Sequence, residues 1–597
     1  MITREGDSIS LNHQLYKVKV YENPTQEELK GLTLKHTPAT CKTVYGSINK
    51  ISRNKDRKAQ WTYIITPETH KDRYSGNLID PEKAKLLIES QRRYIEKVGA
   101  LVQIDGYLGI GRRAVPVRWL YTPEGSNIAA MQQILSFPRT AVETREQLAE
   151  GYRPDFHIVY TPGHRAEGMP GNQAIVVDLE NYVTYIIGPD YFGESKKSAL
   201  RMLNDYVYQR GGLVLHAGAK VVKAQGRLIT MTIMGLSGTG KTTTTFSKQG
   251  DLTQPVQDDM VGFWPNGECS VTENGCFAKT FGLTRETEPA IYDGTTSPTG
   301  WIENAYFSPD GTLDFSKGRL TPEEVRFHKD ILIQTGASPE NVEAYLNHKI
   351  KYENVVDAND IPRDGWDFVL WTQNGRSVFP LSAIKEAADL HNIPSVGSMG
   401  ILNRDEGKEA AMPGILRFVT PEQAAGYFML GETSKTSAAG KARGKTRSPF
   451  TQPFFPRPHG LQAQRFSEIA KTVRADMWLM NTGYIGGDQK DVEAGLALKV
   501  KIRHSSAMLE AMLAGAIGWT VDTDFGYQIV DVKAPENARL LAQVPDEILN
   551  PKLFYERRGR LAEYQAWVVK MKQEREAFLR KYNVAEGIIR AVLNRVS

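Results

Sequence analysis

Short apolar runs alternate with turns along the first 225 residues, which is the pattern of an α/β domain. Leu101-Val-Gln-Ile-Asp-Gly-Tyr107 and Pro116-Val-Arg-Trp-Leu-Tyr121 each predict a strand, and Pro154-Asp-Phe-His-Ile-Val159 predicts a shorter one. Tyr191-Phe-Gly-Glu-Ser-Lys-Lys197 sets Lys196 and Lys197 just before an apolar, helix-like stretch, and Gly212-Leu-Val-Leu-His216-Ala-Gly-Ala219 sets one histidine in an apolar strand. Leu228-Ile-Thr-Met-Thr-Ile-Met234 reads as a buried strand, and a helix is expected to open at Lys241. A charged, helix-patterned run, with Pro322-Glu-Glu at a helix start, reads as a segment inserted at about 316–372. Residues 432–447 carry five basic residues and one acidic among small ones, so a mobile basic loop is expected at about 432–449, serving as a lid or as a plain linker. Met477-Trp-Leu-Met480 predicts a strand that turns at Asn481-Thr-Gly-Tyr, and the last fifty residues have helical spacing.

A chain of 597 residues is too long for one ordinary core, so two domains are expected, 1–225 and 226–597. The net charge of +5, from 74 basic and 69 acidic residues, is too small to argue for nucleic acid or a membrane as partner. Cys41, Cys269 and Cys276 form neither a disulfide framework nor a metal-ligand spacing, which suits a reducing compartment. The N-terminal stretch Met1-Ile-Thr-Arg-Glu-Gly-Asp7 has no apolar targeting region, and a cytoplasmic protein is expected. Nothing in the sequence sets an oligomeric state.

Chemistry concentrates in Gly235-Leu-Ser-Gly-Thr-Gly-Lys241-Thr242, which fits the phosphate-loop pattern at every fixed position. Gly235, Gly238 and Gly240 let backbone N–H groups turn toward phosphate oxygens, and the loop opens a helix whose N-terminus favours an anion. Leu236, Ser237, Thr239 and Thr243 complete the expected nucleotide cradle, Lys241 brings a charge to the β- and γ-phosphates, and the Thr242 hydroxyl is expected on Mg²⁺. Some fifteen residues on, Asp258-Asp259 ends a short apolar run, where a metal-holding aspartate is expected. The histidine, the lysine pair and the basic run Arg53-Asn-Lys-Asp-Arg-Lys58 also have plain structural readings.

In their order along the chain these pieces resemble the ATP-type phosphoenolpyruvate carboxykinases. Gly275-Cys-Phe-Ala-Lys-Thr280 is similar to the family's Gly-Cys-Tyr-Ala-Lys, Glu288-Pro-Ala-Ile-Tyr292 to Glu-Pro-Glu-Ile-Tyr, Asn374-Gly-Arg-Ser-Val-Phe-Pro380 to Asn-Thr-Arg-Val-Ser-Tyr-Pro, and Ile548-Leu-Asn-Pro551 to Ile-Leu-Asp-Pro. The resemblance implies a two-domain α/β fold with a phosphate-loop mononucleotide-binding domain. It implies Lys197, His216 and Asp259 as Mn²⁺ ligands, with Lys196 and Asp258 beside them. It implies Arg376 on the transferring phosphoryl group, Tyr191, Ser237 and Arg53 at the organic substrate, and Glu288, Lys499, Val500 and Ser505 at the nucleotide. This sequence has Phe192 where the family has a glycine, Met260-Val where it has Glu-His, and a shortened Ser52-Arg-Asn-Lys-Asp56 in place of Gly-Arg-Ser-Pro-Lys-Asp. The implied reaction is oxaloacetate with ATP to phosphoenolpyruvate, ADP and CO₂, using Mn²⁺ and Mg²⁺. A phosphate-loop kinase for another small acceptor or a protein side chain, and a non-catalytic nucleotide sensor, are the alternatives.

Overall fold

The computed structural model describes residues 3–4, 8–11, 14–54, 59–236, 239–246, 253–351, 372–384, 386–435 and 444–595. The chain groups into two compact units, Met1–Leu203 with Thr272–Lys385 and Asn204–Val271 with Glu386–Ser597. The single boundary expected near residue 225 gives way to two discontinuous units, whose division falls within the helix Phe192–Gln209. Order along the chain shows where apolar runs lie, not which of them pack together.

The first unit holds a nine-stranded mixed sheet with Ala100–Leu108, Val115–Tyr121, Phe156–Thr161 and Val183–Ile187 at its centre. Their apolar positions bury against the helix Pro81–Val98, with Leu101, Leu120, Val159, Val183 and Ile95 in one core. That helix is bounded by its own sequence. Asp80 accepts the Glu82 N–H, Pro81 occupies the first turn, and Gly99 ends it at φ +74°. A second sheet of five strands runs Gly275–Lys279, Arg376–Pro380, Trp301–Glu303, Ile48–Lys50, Thr40–Lys42. The stretch from Phe315 to Lys351 carries the helices Pro322–Phe327, Lys329–Gln334 and Pro339–Leu346, the first opened by a capping box between Thr321 and Glu324. Val325, Leu332 and Val342 pack with Phe307 and Ile51, the residue after the strand Ile48–Lys50. The rest of the insertion, 352–371, lies outside the described residues.

The second unit is built on an eight-stranded sheet in which Arg227–Gly235 pairs in parallel with Val396–Asn403, and that strand with Asp476–Asn481. Thr230 to Met234 are all buried, so both faces of the strand are covered, which explains why no charged residue interrupts this run. At the flanks of the basic loop, structure departs from composition. Thr433–Lys435 pairs with Gly444–Thr446, Lys445 reaches Asp405 at 3.0 Å, and Arg447 bonds Glu432 at 2.7 Å and Glu574 at 2.8 Å. These flanking cations pair with carboxylates instead of facing solvent, Asp405 and Glu432 buried and Glu574 half-buried, and the tip, 436–443, lies outside the described residues.

Glu432 also takes a bond from Arg575 at 2.9 Å, with both side chains buried. Burial alone would raise the Glu432 carboxyl, but Arg575, Arg447 and Lys445 hold it well below the ordinary carboxylate range. The contribution of this network to stability is therefore present above the ordinary value of 4.5 and is lost as pH falls from there toward the folded value. Arg575→Met leaves Glu432 with one fewer cation in a dry site, and should cost about 3–5 kcal/mol in a urea unfolding curve at pH 7. A loss under about 1 kcal/mol would mean that the pair is solvated.

Candidate active site

In the second unit the strand Arg227–Gly235 feeds the helix Lys241–Phe246, the strand–turn–helix order of the phosphate-loop pattern. Gly235 has to be glycine here, because a Cβ would lie 2.4 Å from the Thr239 hydroxyl, and Gly240 sits at φ +89°. The Thr239 hydroxyl closes the turn on the Leu236 carbonyl at 2.8 Å. The half-buried Lys241 donates to the Asp258 carbonyl at 2.7 Å, which ties the loop lysine to the acidic pair. Ser237 and Gly238 lie outside the described residues, as do the side chains of Thr242 and Thr243. Thr482 donates to the Thr239 carbonyl at 3.0 Å, and the Val500 N–H donates to the Gly483 carbonyl at 2.9 Å. The turn at residues 481–484 thus joins the loop to the strand Leu498–Lys499, where Lys499 is exposed and lies over the Tyr484 ring. Ser505 lies in the first turn of the helix Ile502–Leu513.

His216 falls in the break between the strands Leu213–Leu215 and Ala217–Ala224, not inside one strand as expected. Its Nδ1 lies 3.1 Å from the Phe450 carbonyl, and its Nε2 lies 3.2 Å from Asp259 Oδ1. A carbonyl only accepts, so Nδ1 carries a hydrogen, and Nε2 is left to share a proton or a metal ion with the carboxylate. This backed imidazole facing a carboxylate is a donor pair suited to a divalent cation. Among the described residues no group of three or more His, Cys, Asp or Glu side chains could hold a metal.

The other expected residues belong to the first unit. Lys196 and Lys197 stand inside the helix Phe192–Gln209, not before it. Lys196 is buried against Glu273 at 2.9 Å, and Lys197 is half-buried. Lys196 and Arg376 share the Phe277 ring, at 4.9 Å and 5.8 Å from its centroid, and Arg376 Nη1 donates to the Gly375 carbonyl at 2.8 Å. Tyr191 is buried with its ring over Gly193, and Glu288 precedes the helix Pro289–Thr295.

Arg53 is held more firmly than a solvated basic run would be. Its N–H and that of Asn54 both donate to the Asp190 carboxylate at 3.0 Å, and its guanidinium donates to the carbonyls of Pro162 at 2.6 Å and Gly188 at 3.0 Å. Burial alone would raise the Asp190 carboxyl, but Lys50, Arg53 and these two N–H groups hold it below its ordinary value. The Arg53 side chain stays 43% exposed. Lys55, Asp56, Arg57 and Lys58 lie outside the described residues.

Three further residues of this surface escaped the sequence reading. Strand register sets Lys279 opposite Arg376, Arg376 opposite Glu303, and Glu303 opposite Lys50, so the four form one row across the five-stranded sheet. The buried Glu303 accepts the Phe192 N–H at 3.2 Å, at the start of the helix that carries Lys196 and Lys197. Burial raises the Glu303 carboxyl and lowers the Lys50 amine. Lys279 stands in a motif that drew attention for other reasons. Lys50 and Glu303 carry no local signal, since their role exists only in the pairing of distant strands.

Fold and site together define a two-unit α/β protein with a phosphate-loop pattern at a strand–helix junction in one unit and an arginine- and lysine-rich sheet face in the other. A family model for phosphoenolpyruvate carboxykinase matches residues 18–326 and 327–537. The chain belongs to the phosphoenolpyruvate carboxykinase family. It is 29% identical over 428 residues to the phosphoenolpyruvate carboxykinase (ATP) of Afipia carboxidovorans, a match covering 70% of this chain and 66% of that protein. It is 28% identical over 387 residues to the one from Mesorhizobium japonicum, covering 63% of this chain and 60% of that protein. The chain thus spans less than two thirds of the length of these relatives. The Geobacillus thermodenitrificans protein of the same name is 26% identical over 586 residues, 95% of this chain and 92% of that protein.

Proposed function

We propose that this chain is an ATP-dependent phosphoenolpyruvate carboxykinase, converting oxaloacetate and ATP to phosphoenolpyruvate, ADP and CO₂. The observation that carries the reading is the second unit's pairing of Lys241 with Asp258 and of His216 with Asp259, which brings phosphate-binding and cation-binding groups together within one motif pair. His216 and Asp259 would hold Mn²⁺, with Lys197 as a further ligand on the family resemblance alone, and Thr242 would serve Mg²⁺. Such an ion would supply a Lewis acid for the charge that decarboxylation develops on the substrate oxygen.

The residues divide the remaining work. Lys241 neutralises the β- and γ-phosphate oxygens, with Asp258 holding its ammonium in place beforehand. Arg376 spreads two N–H donors over the phosphoryl group in transit. Ser237, Leu236, Gly238, Thr239 and Thr243 line the nucleotide, and Glu288, Lys499, Val500 and Ser505 bound its far end. Arg53 takes the substrate carboxylate that remains on the product, with Tyr191 beside it. The unit that holds Arg53 acts on the substrate side, and the unit that holds Lys241 carries the nucleotide. The reading places the protein in the cytoplasm. No helix among the described residues is long and apolar enough to cross a membrane.

A coupled assay with oxaloacetate, ATP and Mn²⁺ should yield phosphoenolpyruvate. ATP consumption without it would assign the chain to the kinases of another acceptor. Arg53→Ala should raise KM for oxaloacetate about thirtyfold with ATP affinity unchanged, near the lower end for a charged pair because the guanidinium is partly solvated. Equal loss for both substrates would place Arg53 in the scaffold.

A further inference from the structure

We propose that Lys220 is a positioning residue for the phosphate loop, tying the helix that carries Lys241 to the strand that follows His216. The inference rests on the nucleotide-binding half of the reading above. His216 stands just before the strand Ala217–Ala224 and reaches Asp259. Positions 218 and 220 share one face of that strand at its two-residue period. Gly218 uses it to let the helix Lys241–Phe246 come close, since a Cβ there would lie 2.0 Å from the Thr245 hydroxyl. Lys220 uses it to donate from Nζ to the Thr244 carbonyl at 2.5 Å, three residues beyond Lys241.

The side chain is fully buried, so this bond is made in a dry place where a charged donor counts for more than at the surface. A lysine in the middle of an apolar sheet is costly to bury, and an apolar residue would fill the space without that cost. The bond it makes is to a carbonyl of the helix that Lys241 opens, within a turn of the loop lysine. Fixing that turn fixes the direction in which the helix presents Lys241 and its first N–H groups to a phosphate. One strand therefore sets the metal-facing histidine and the phosphate-facing helix in a common frame.

Burial alone lowers the Lys220 amine to about 7, so its charge is exchanged near neutral pH. The neighbouring strands set Met231 and Pro255 opposite it, and the helix sets Thr244 against it. The charged group of that helix is Lys241, which is engaged with Asp258. The ammonium form makes the stronger bond, so nucleotide affinity should weaken as pH rises through neutrality.

The test is calorimetric titration of the full chain with ATP and Mg²⁺, which needs no turnover. Lys220→Met should weaken ATP binding about tenfold at pH 6.5, the scale of one charge-assisted hydrogen bond, and Lys220→Arg should recover most of it. Wild-type affinity should fall more steeply between pH 6 and 8.5 than that of Lys220→Arg, whose donor stays charged. Under turnover, the ATP KM should rise with Lys220→Met while the oxaloacetate KM at saturating ATP stays within about twofold. A Lys220→Met protein that binds ATP as the wild type does, even with a lowered melting temperature, overturns the inference. So does an equal loss for both substrates that arginine fails to rescue. Wild-type protein that binds ATP without forming phosphoenolpyruvate removes the carboxykinase reading and leaves this one standing, and wild-type protein that binds no ATP overturns both.

Discussion

Lys241→Ala should lower kcat/KM by about a thousandfold, the scale on which one pre-oriented charge-stabilising donor acts in a dry site. The ammonium is already held at 2.7 Å from the Asp258 carbonyl, so it would meet a phosphate without first losing the freedom of a surface lysine. Lys241 is half-buried at the first position of a short helix and lies outside the core, and the melting temperature should move by no more than a few degrees. Steady-state kinetics with a parallel thermal melt separates the two effects. Near-normal turnover in this variant would remove the phosphate-loop assignment, and a collapse of the melt would show that the lysine is structural.

Arg376→Lys should lower kcat by roughly a thousandfold, toward the low end of what a charge-clamping arginine supplies in phosphoryl transfer, while ATP affinity changes by less than about fivefold. The guanidinium is held as a plane, with one N–H on the Gly375 carbonyl at 2.8 Å and the Phe277 ring beneath at 5.8 Å. A lysine has neither the plane nor the second donor. The row Lys279, Arg376, Glu303, Lys50 also keeps a carboxylate next to the arginine in register, which limits how far a shorter side chain can shift. Single-turnover measurement of kcat against a direct binding titration decides it. Equal losses in both would mean that Arg376 only holds the ground state.

Local elements of this chain were legible because each states its own period. The strand Arg227–Gly235 contains the apolar stretch Leu228 to Met234, the helix Pro322–Phe327 opens at Pro322-Glu-Glu, and Gly235 to Lys241 is a fixed spacing of glycines. What could not be read is whatever depends on pairing. Lys50 and Glu303 face each other across more than 250 residues of sequence, and no property of either stretch marks the meeting. Arg53 looked like the start of a solvated run because the carboxylate that pins it, Asp190, stands far along the chain. Lys445 and Arg447 were counted as loop charge for the same reason, since their partners Asp405 and Glu574 are remote. Composition counts charges, and burial decides whether a charge is solvated or paired.

The discontinuity of the units has a consequence during synthesis. The five-stranded sheet needs Thr40–Lys42 and Ile48–Lys50 from near the start of the chain, and Arg376–Pro380 to complete its interior. At about 5–20 residues per second, a ribosome takes some fifteen seconds to a minute to make the stretch between them. For most of that interval, until Trp301–Glu303 has been made, the edge of Ile48–Lys50 lacks that partner, and unpaired strand edges invite association with other chains. The nine-stranded sheet closes early, since all its strands lie before residue 188, and it can shelter the nascent N-terminal segment by drawing Lys19–Glu22 against Ala100–Leu108. The first unit is thus built in two stages: a sheet that forms while the chain is still emerging, and a cation-lined face that exists only after residue 380 has left the tunnel. A ribosome stalled before that point carries a folded platform without the assembled row of Lys279, Arg376, Glu303 and Lys50.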